Sequence, residues 1–233
     1  MKNYIILADG SDAIQALKNL KVEYIMLDKY LTTLQDSYQG TNALFLLVTT
    51  IEGSNLIQIT QLIDKTHQLF VFFPYNQRTI LPDELLNNKN IILFPVVYDN
   101  DLSNAFSKDI EQFLSVFSIP KTADNIVLDK EDINDFFNNK AFYQCSAYQA
   151  ENFDNMIIKI EEEHQFKKNI FSVIVTFFIN PQITIIEIIG FLEALEELFT
   201  QYGNDETTIL FQTNIEEKNT SDNKVIIIES VEK

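Results

Sequence analysis

The chain is poor in cysteine, glycine and positive charge. It has one cysteine, Cys145, in 233 residues, which excludes an internal disulfide framework and any cysteine-built zinc cluster. Its five glycines fall well below the usual ~7%, leaving little of the residue that lets backbone amides approach an anion closely. Lys and Arg number 17 against 34 Asp and Glu, so 17 − 34 gives a net charge of −17. Such a chain does not neutralise a phosphate backbone and is repelled by anionic lipid. Nucleic acid and acidic membranes are therefore not expected partners. The longest apolar run, Ile170–Ile179, is about half the ~20 residues needed to cross a bilayer. The next, residues 183–198, is broken by Glu187, Glu193, Glu196 and Glu197. The apolar stretch at the N-terminus is too short for a signal-peptide core, and a soluble cytoplasmic protein is expected. The motifs GxxxxGK[ST], GxGxxG, HExxH and GxSxG are all absent.

What is present is ordinary globular material, 46% hydrophobic and 22% charged, enough for a sizeable core. The length suits one large domain or two small ones. In the first half, short apolar runs at 4–8, 24–27, 43–49, 69–73 and 91–97 alternate with helical patterns such as Leu56, Ile59, Leu62 and Ile63. That alternation predicts a parallel α/β sheet, and the unbroken apolar runs predict one covered on both faces. Phe106, Ile110, Phe113, Leu114 and Phe117 are spaced as a linking helix near 104–118. Pro120 and the polar residues 121–125 then mark a junction. The expected domains are 1–120, a Rossmann-like unit, and 121–233, a smaller α+β unit. In the latter, Thr184 and Glu187 make a capping box for a helix ending at Gly203. Its apolar stripe reads Ile185, Ile188, Ile189, Leu192, Leu195 and Phe199. Two strands, 209–213 and 225–229, are expected to close the chain as a hairpin.

Few side chains stand out as chemistry. His164 follows Glu161, Glu162 and Glu163 and reads as part of a solvated helix face. His67 sits in a polar break before a strand, and Cys145 reads as a small packing residue. The pairs Asp99/Asp101 and Asp129/Asp132 read first as loop solvation or helix caps.

The order of these pieces resembles that of the FtsZ/tubulin superfamily. Residues 44–55, Leu-Phe-Leu-Leu-Val-Thr-Thr-Ile-Glu-Gly-Ser-Asn, with the helix and strand after them, are similar to that family's strand, glycine-rich loop, helix and strand. Residues 4–28 resemble its first strand, phosphate loop, helix and second strand. Residues 126–133, Ile-Val-Leu-Asp-Lys-Glu-Asp-Ile, look like its synergy loop, NxDxxD, and 170–230 like its C-terminal activation domain. The resemblance implies an FtsZ/tubulin-like α/β fold, with Gly10, Gly53 and Ser54 at phosphate-loop positions. It places Asp129 and Asp132 where family acids act on the nucleotide of the next subunit.

The departures from the family decide what is expected of the site. One glycine stands in the main loop where the family has several. Ile51 and Glu52 would crowd the phosphates, and Asp9 and Asp12 flank Gly10. Like charges about 4 Å apart repel by roughly 1 kcal/mol in water, and by more at lower dielectric. Val127 replaces the synergy-loop asparagine, and the segment between Asp28 and Ala43 is shorter than in the family. No counterpart of the family's C-terminal tail for membrane adaptors is expected. The expected function is that of an FtsZ-like pseudo-GTPase without cofactor, active in cell division. It would act by self-assembly or by modulating FtsZ filaments, with itself or an FtsZ-type protein as partner. The alternatives are a divergent GTP-binding GTPase and a scaffold for an unrelated assembly on the same fold.

Overall fold

The computed structural model describes residues 4–34, 43–51, 54–63, 68–122, 124–137, 141–165, 170–202, 207–215 and 222–231. These divide into two compact units, chiefly Met1–Glu111 with Lys140–Tyr143, and Gln112–Asn139 with Gln144–Glu232. The fold is mixed α/β, and its strands are mostly parallel.

In the first unit the chain runs β1 (Tyr4–Asp9), α1 (Ser11–Asn19), β2 (Ile25–Met26), α2 (Leu27–Lys29), β3 (Ala43–Val48), α3 (Ser54–Ile63), β4 (Gln68–Pro74), α4 (Asp83–Leu86) and β5 (Ile91–Val96). A π-helical turn, Tyr30–Leu34, extends α2, and a 3-10 turn, Tyr75–Ile80, follows β4. The strands lie in the order β2-β1-β3-β4-β5 and pair in parallel. The register carries Ala8 to Leu47, Leu47 to Phe72 and Phe72 to Phe94. Nearly every residue of β3, β4 and β5 is buried, as strands covered on both faces require. Aromatic rings lock neighbouring strands together: Phe45 stacks on Phe70 at 4.9 Å and Phe72 on Phe94 at 4.7 Å. Each such pair contributes about 0.5–1.5 kcal/mol beyond its buried area.

The linking helix is α5 (Leu102–Phe117), which begins in the first unit and ends in the second. Asp101 caps it, its Oδ1 accepting from the Asn104 N–H at 3.0 Å and the Ser103 hydroxyl at 2.9 Å. These bonds hold the Asp101 carboxyl below its usual range. Phe106, Ile110 and Phe113 form its fully buried stripe, as their spacing predicts.

The second unit continues through α6 (Lys130–Phe137), β6 (Phe142–Ala150), α7 (Phe153–Glu163), β7 (Ile170–Ile179), α8 (Ile185–Tyr202), β8 (Thr208–Ile215) and β9 (Asn223–Val231). Its strand order is β6-β9-β7-β8. The expected terminal hairpin does not form: β8 pairs in parallel with one side of β7, and β9 runs antiparallel on the other. The burial patterns give the reason. β9 holds the unbroken apolar run Val225–Ile228 and is buried almost throughout, while β8 is half-exposed. The more continuously apolar strand takes the interior position, where both faces are covered.

Two further expectations are corrected. The capping box of α8 is formed, with Thr184 N–H and hydroxyl both donating to Glu187 Oε2 at 2.7 Å. The stripe behind it, however, is rotated. Ile188, Phe191, Leu195, Leu198 and Phe199 are buried, whereas Ile185 and Ile189 are 49% and 47% exposed. His164 is not on a solvated face. As the C-terminal cap of α7 it turns inward, its Nδ1 2.7 Å from the Tyr148 hydroxyl and its Nε2 3.2 Å from Glu229 Oε2. Glu161–Glu163 are exposed and His164, the very next residue, is buried, so neighbouring charge misreports its environment. His67 lies outside the described residues.

Asp109, on α5, yields a pH prediction. Burial pushes its carboxyl from an ordinary 3.8 up to about 7, against the opposing pull of Lys108. Between those values the folded chain holds a proton that the unfolded chain has lost, so stability falls as pH rises from 4 to 7. Asp109→Asn should be more stable than the parent at pH 8, by on the order of 2 kcal/mol. The gain should vanish near pH 4, and urea denaturation at the two pH values measures it.

Candidate functional site

The positions to which the resemblance points lie at the C-terminal ends of β1 and β3, the usual ligand side of a parallel sheet. Gly10 links β1 to α1 with φ +91°, a conformation open to glycine and disfavoured for side chains with a Cβ. A Cβ there would lie 2.4 Å from Thr49 Oγ1 and 2.6 Å from Thr49 Cβ. The glycine therefore serves a close approach within the protein, bringing the first loop against the residue after β3. A hydrogen bond from Thr49 N–H to the Asp9 carbonyl, 3.0 Å, fixes that approach.

The loop after β3 is held from the far side of the sequence. Gln77, in the turn after β4, accepts from the Ile51 N–H at 2.6 Å and donates its Nε2–H to the Thr49 carbonyl at 2.9 Å. One side-chain amide thus satisfies both backbone groups, as two parallel hydrogen bonds. Sequence reading missed Gln77, since nothing at a separation of 26 residues marks it as a partner of this loop. Ile51, expected to crowd the site, is itself buried. Its apolar side chain draws the loop inward and its amide is spent on Gln77. Glu52 and Gly53 lie outside the described residues, as does the side chain of Ser54, whose backbone opens α3.

Electrostatics run the same way. Burial, and then the Asp28 carboxylate, hold the Asp9 carboxyl above its usual range. Asp9 Oδ2 and Thr49 Oγ1 are buried without a hydrogen-bond partner among the described residues. An anion here would meet carboxylates and a loop amide already bonded. The described residues are ill matched to a triphosphate, and no chemical step is derived through one.

Asp129 and Asp132 are brought together at the start of α6, in unit two. Asp129 Oδ1 accepts from the N–H groups of Glu131 at 2.7 Å and Asp132 at 2.9 Å, and Asp132 Oδ2 accepts from the Asp129 N–H at 3.2 Å. This is a reciprocal capping box made by two aspartates. The segment before it is pinned to β8: Thr213 N–H donates to the Ile126 carbonyl at 2.8 Å, and Ile126 N–H to Thr213 Oγ1 at 2.9 Å. Asp129 remains exposed, so its carboxylate both caps the helix and faces water.

Two substitutions check these assignments. Gly10→Ala should destabilise by about 1–3 kcal/mol, combining an unfavourable φ with a clash. Asp129→Ala should cost about 1 kcal/mol, the worth of a helix cap. Thermal melts read both.

No protein-family model matches this sequence, and no curated protein does either. Solved structures do match. The empty FtsZ dimer of M. jannaschii superimposes with a TM-score of 0.58 at 8% identity, covering 97% of this chain and 88% of that one. The GDP-form protofilaments of Bacillus thuringiensis serovar israelensis TubZ give 0.65 at 12% identity, covering 98% and 85%. A GTPγS-form protofilament of the same TubZ gives 0.62 at 12% identity, over 93% and 70%. At such identities the likeness concerns the path of the backbone: this protein has an FtsZ/tubulin-like fold.

Proposed function

We propose that the protein is a pseudo-GTPase of FtsZ/tubulin-like fold that acts through protein–protein association. It needs no nucleotide and either assembles with itself or modulates filaments of an FtsZ-type protein, a role in cell division. The observation that carries this reading is the Gln77 clamp on Thr49 and Ile51. Where the family's glycine-rich loop offers amides to phosphate, this loop turns its Ile51 amide inward and buries the Ile51 side chain. The raised Asp9 carboxyl beside Asp28 supports the same conclusion. Gly10, Gly53 and Ser54 then stand at old phosphate positions without a phosphate to hold. Asp129 and Asp132, by the same argument, serve α6 as a cap rather than a nucleotide in trans.

Association is supported by what the neighbours are: one was solved as a dimer and the other as protofilaments. A subunit that keeps such a fold without nucleotide could join a filament end and leave its other face unproductive.

Calorimetric titration with GTP and GDP, with and without magnesium, tests the first half of the proposal. No binding heat is expected up to millimolar nucleotide, whereas roughly micromolar binding, about −8 kcal/mol, would overturn it. Co-sedimentation tests the second half. The protein should pellet with FtsZ polymers, or by itself without nucleotide, and a chain that stays monomeric in the supernatant under both conditions would refute it.

A further inference from the structure

The rotation of α8 leaves an apolar surface that the fold does not use. Ile185, Ile186 and Ile189, on its first two turns, are 49%, 77% and 47% exposed, and Ile158 on the neighbouring α7 is 53% exposed. Between the two helices runs a groove of about 380 Å³ lined by Phe153, Ile157, Ile183, Gly190, Phe191 and Ala194, with Asp154 and Glu187. Its floor is rigid. Phe153, Phe177 and Phe191 pack as a ring cluster with centroids 5.0–5.7 Å apart. Gly190 opens it further, since a Cβ there would meet nothing within 4 Å.

Charge identifies the occupant. Helix α8 carries Glu187, Glu193, Glu196 and Glu197 and no basic residue, and α7 adds Asp154, Glu161, Glu162 and Glu163 against one cation, Lys159. Glu193, Glu196 and Glu197 line a second shallow depression along α8. Among the described residues none of these three carboxylates has an ion-pair partner. None of the three lies in the first turn of α8, where an acidic side chain would favour the helix dipole. A second copy of the chain, net −17, would bring like charge to this groove.

We propose that the α7–α8 groove binds a basic amphipathic helix of a partner protein, apolar side chains seated on Phe153, Ile157 and Phe191 and lysines or arginines meeting Asp154 and the flanking α8 glutamates. Helix-in-groove recognition uses this combination of apolar anchors and charged flanks. The proposal deepens the association reading. Because its test contains neither nucleotide nor FtsZ, each can fail without the other.

The probe is a fluorescent leucine/lysine helical peptide of roughly 16 residues, with leucines on one face, titrated against the whole chain. Binding of roughly micromolar strength is expected, weakening as salt rises. A peptide with the same residues in non-amphipathic order should bind at least about tenfold more weakly. Gly190→Leu fills the groove, keeps or raises helix stability, and should weaken binding about tenfold or more, as should Ile157→Asp. Thermal melts confirm that both variants remain folded. Equal binding of the two peptides, or no loss in folded Gly190→Leu, would overturn the proposal. So would a dimer of the unmodified chain that Ile157→Asp dissociates in sedimentation, because the occupant would then be a second copy.

Discussion

Burial of β3, β4 and β5 on both faces constrains everything else in the first unit. Strands of this kind leave no side of the sheet for polar chemistry, so charged and hydrogen-bonding groups are pushed to the loops at the strand ends. Each loop must then satisfy its own backbone, because an amide withdrawn from water without a partner costs about 1–3 kcal/mol. A phosphate could serve that need at the end of β3. Here Gln77 serves it, reaching across from the turn after β4 to take the Ile51 amide and the Thr49 carbonyl together. Gln77 thus holds the described end of this loop, and Gly10 lies against Thr49 in the same segment.

The second unit solves the same problem of polar groups near a core in a different way. Tyr148, His164 and Glu229 form a hydrogen-bonded chain inside it, so that a buried carboxylate faces a histidine and the histidine faces a hydroxyl. Burial pushes the Tyr148 hydroxyl up to about 12, with Glu229 adding to the effect. A fully partnered buried network of this kind favours one packing arrangement over its competitors. It ties α7, β6 and β9 together and leaves the outer side of α7 and α8 free to be apolar and acidic at once.

Among the described residues, exposed apolar and acidic side chains gather on α7 and α8. Acidic residues outnumber basic ones two to one across the chain, and on α8 the excess is complete. Exposed isoleucines rimmed by charge on α7 and α8 have the composition of an interaction surface.

The sequence by itself determined the parallel α/β character of the first unit, the linking helix, the cap of α8 and the scarcity of glycine. Those features are local: apolar run length, helical spacing, Thr184 with Glu187, and glycine content all act within a few residues. It also pointed to the family likeness, because the order of elements survives when identity does not. Only the tertiary structure decided that β9 lies beside β7 away from β8, since strand partners depend on competition for the buried interior. Only the tertiary structure turned His164 inward, rotated the stripe of α8 and brought Gln77 to the β3 loop. Each of these is a contact between residues far apart in sequence, formed by packing, and no spacing rule encodes it.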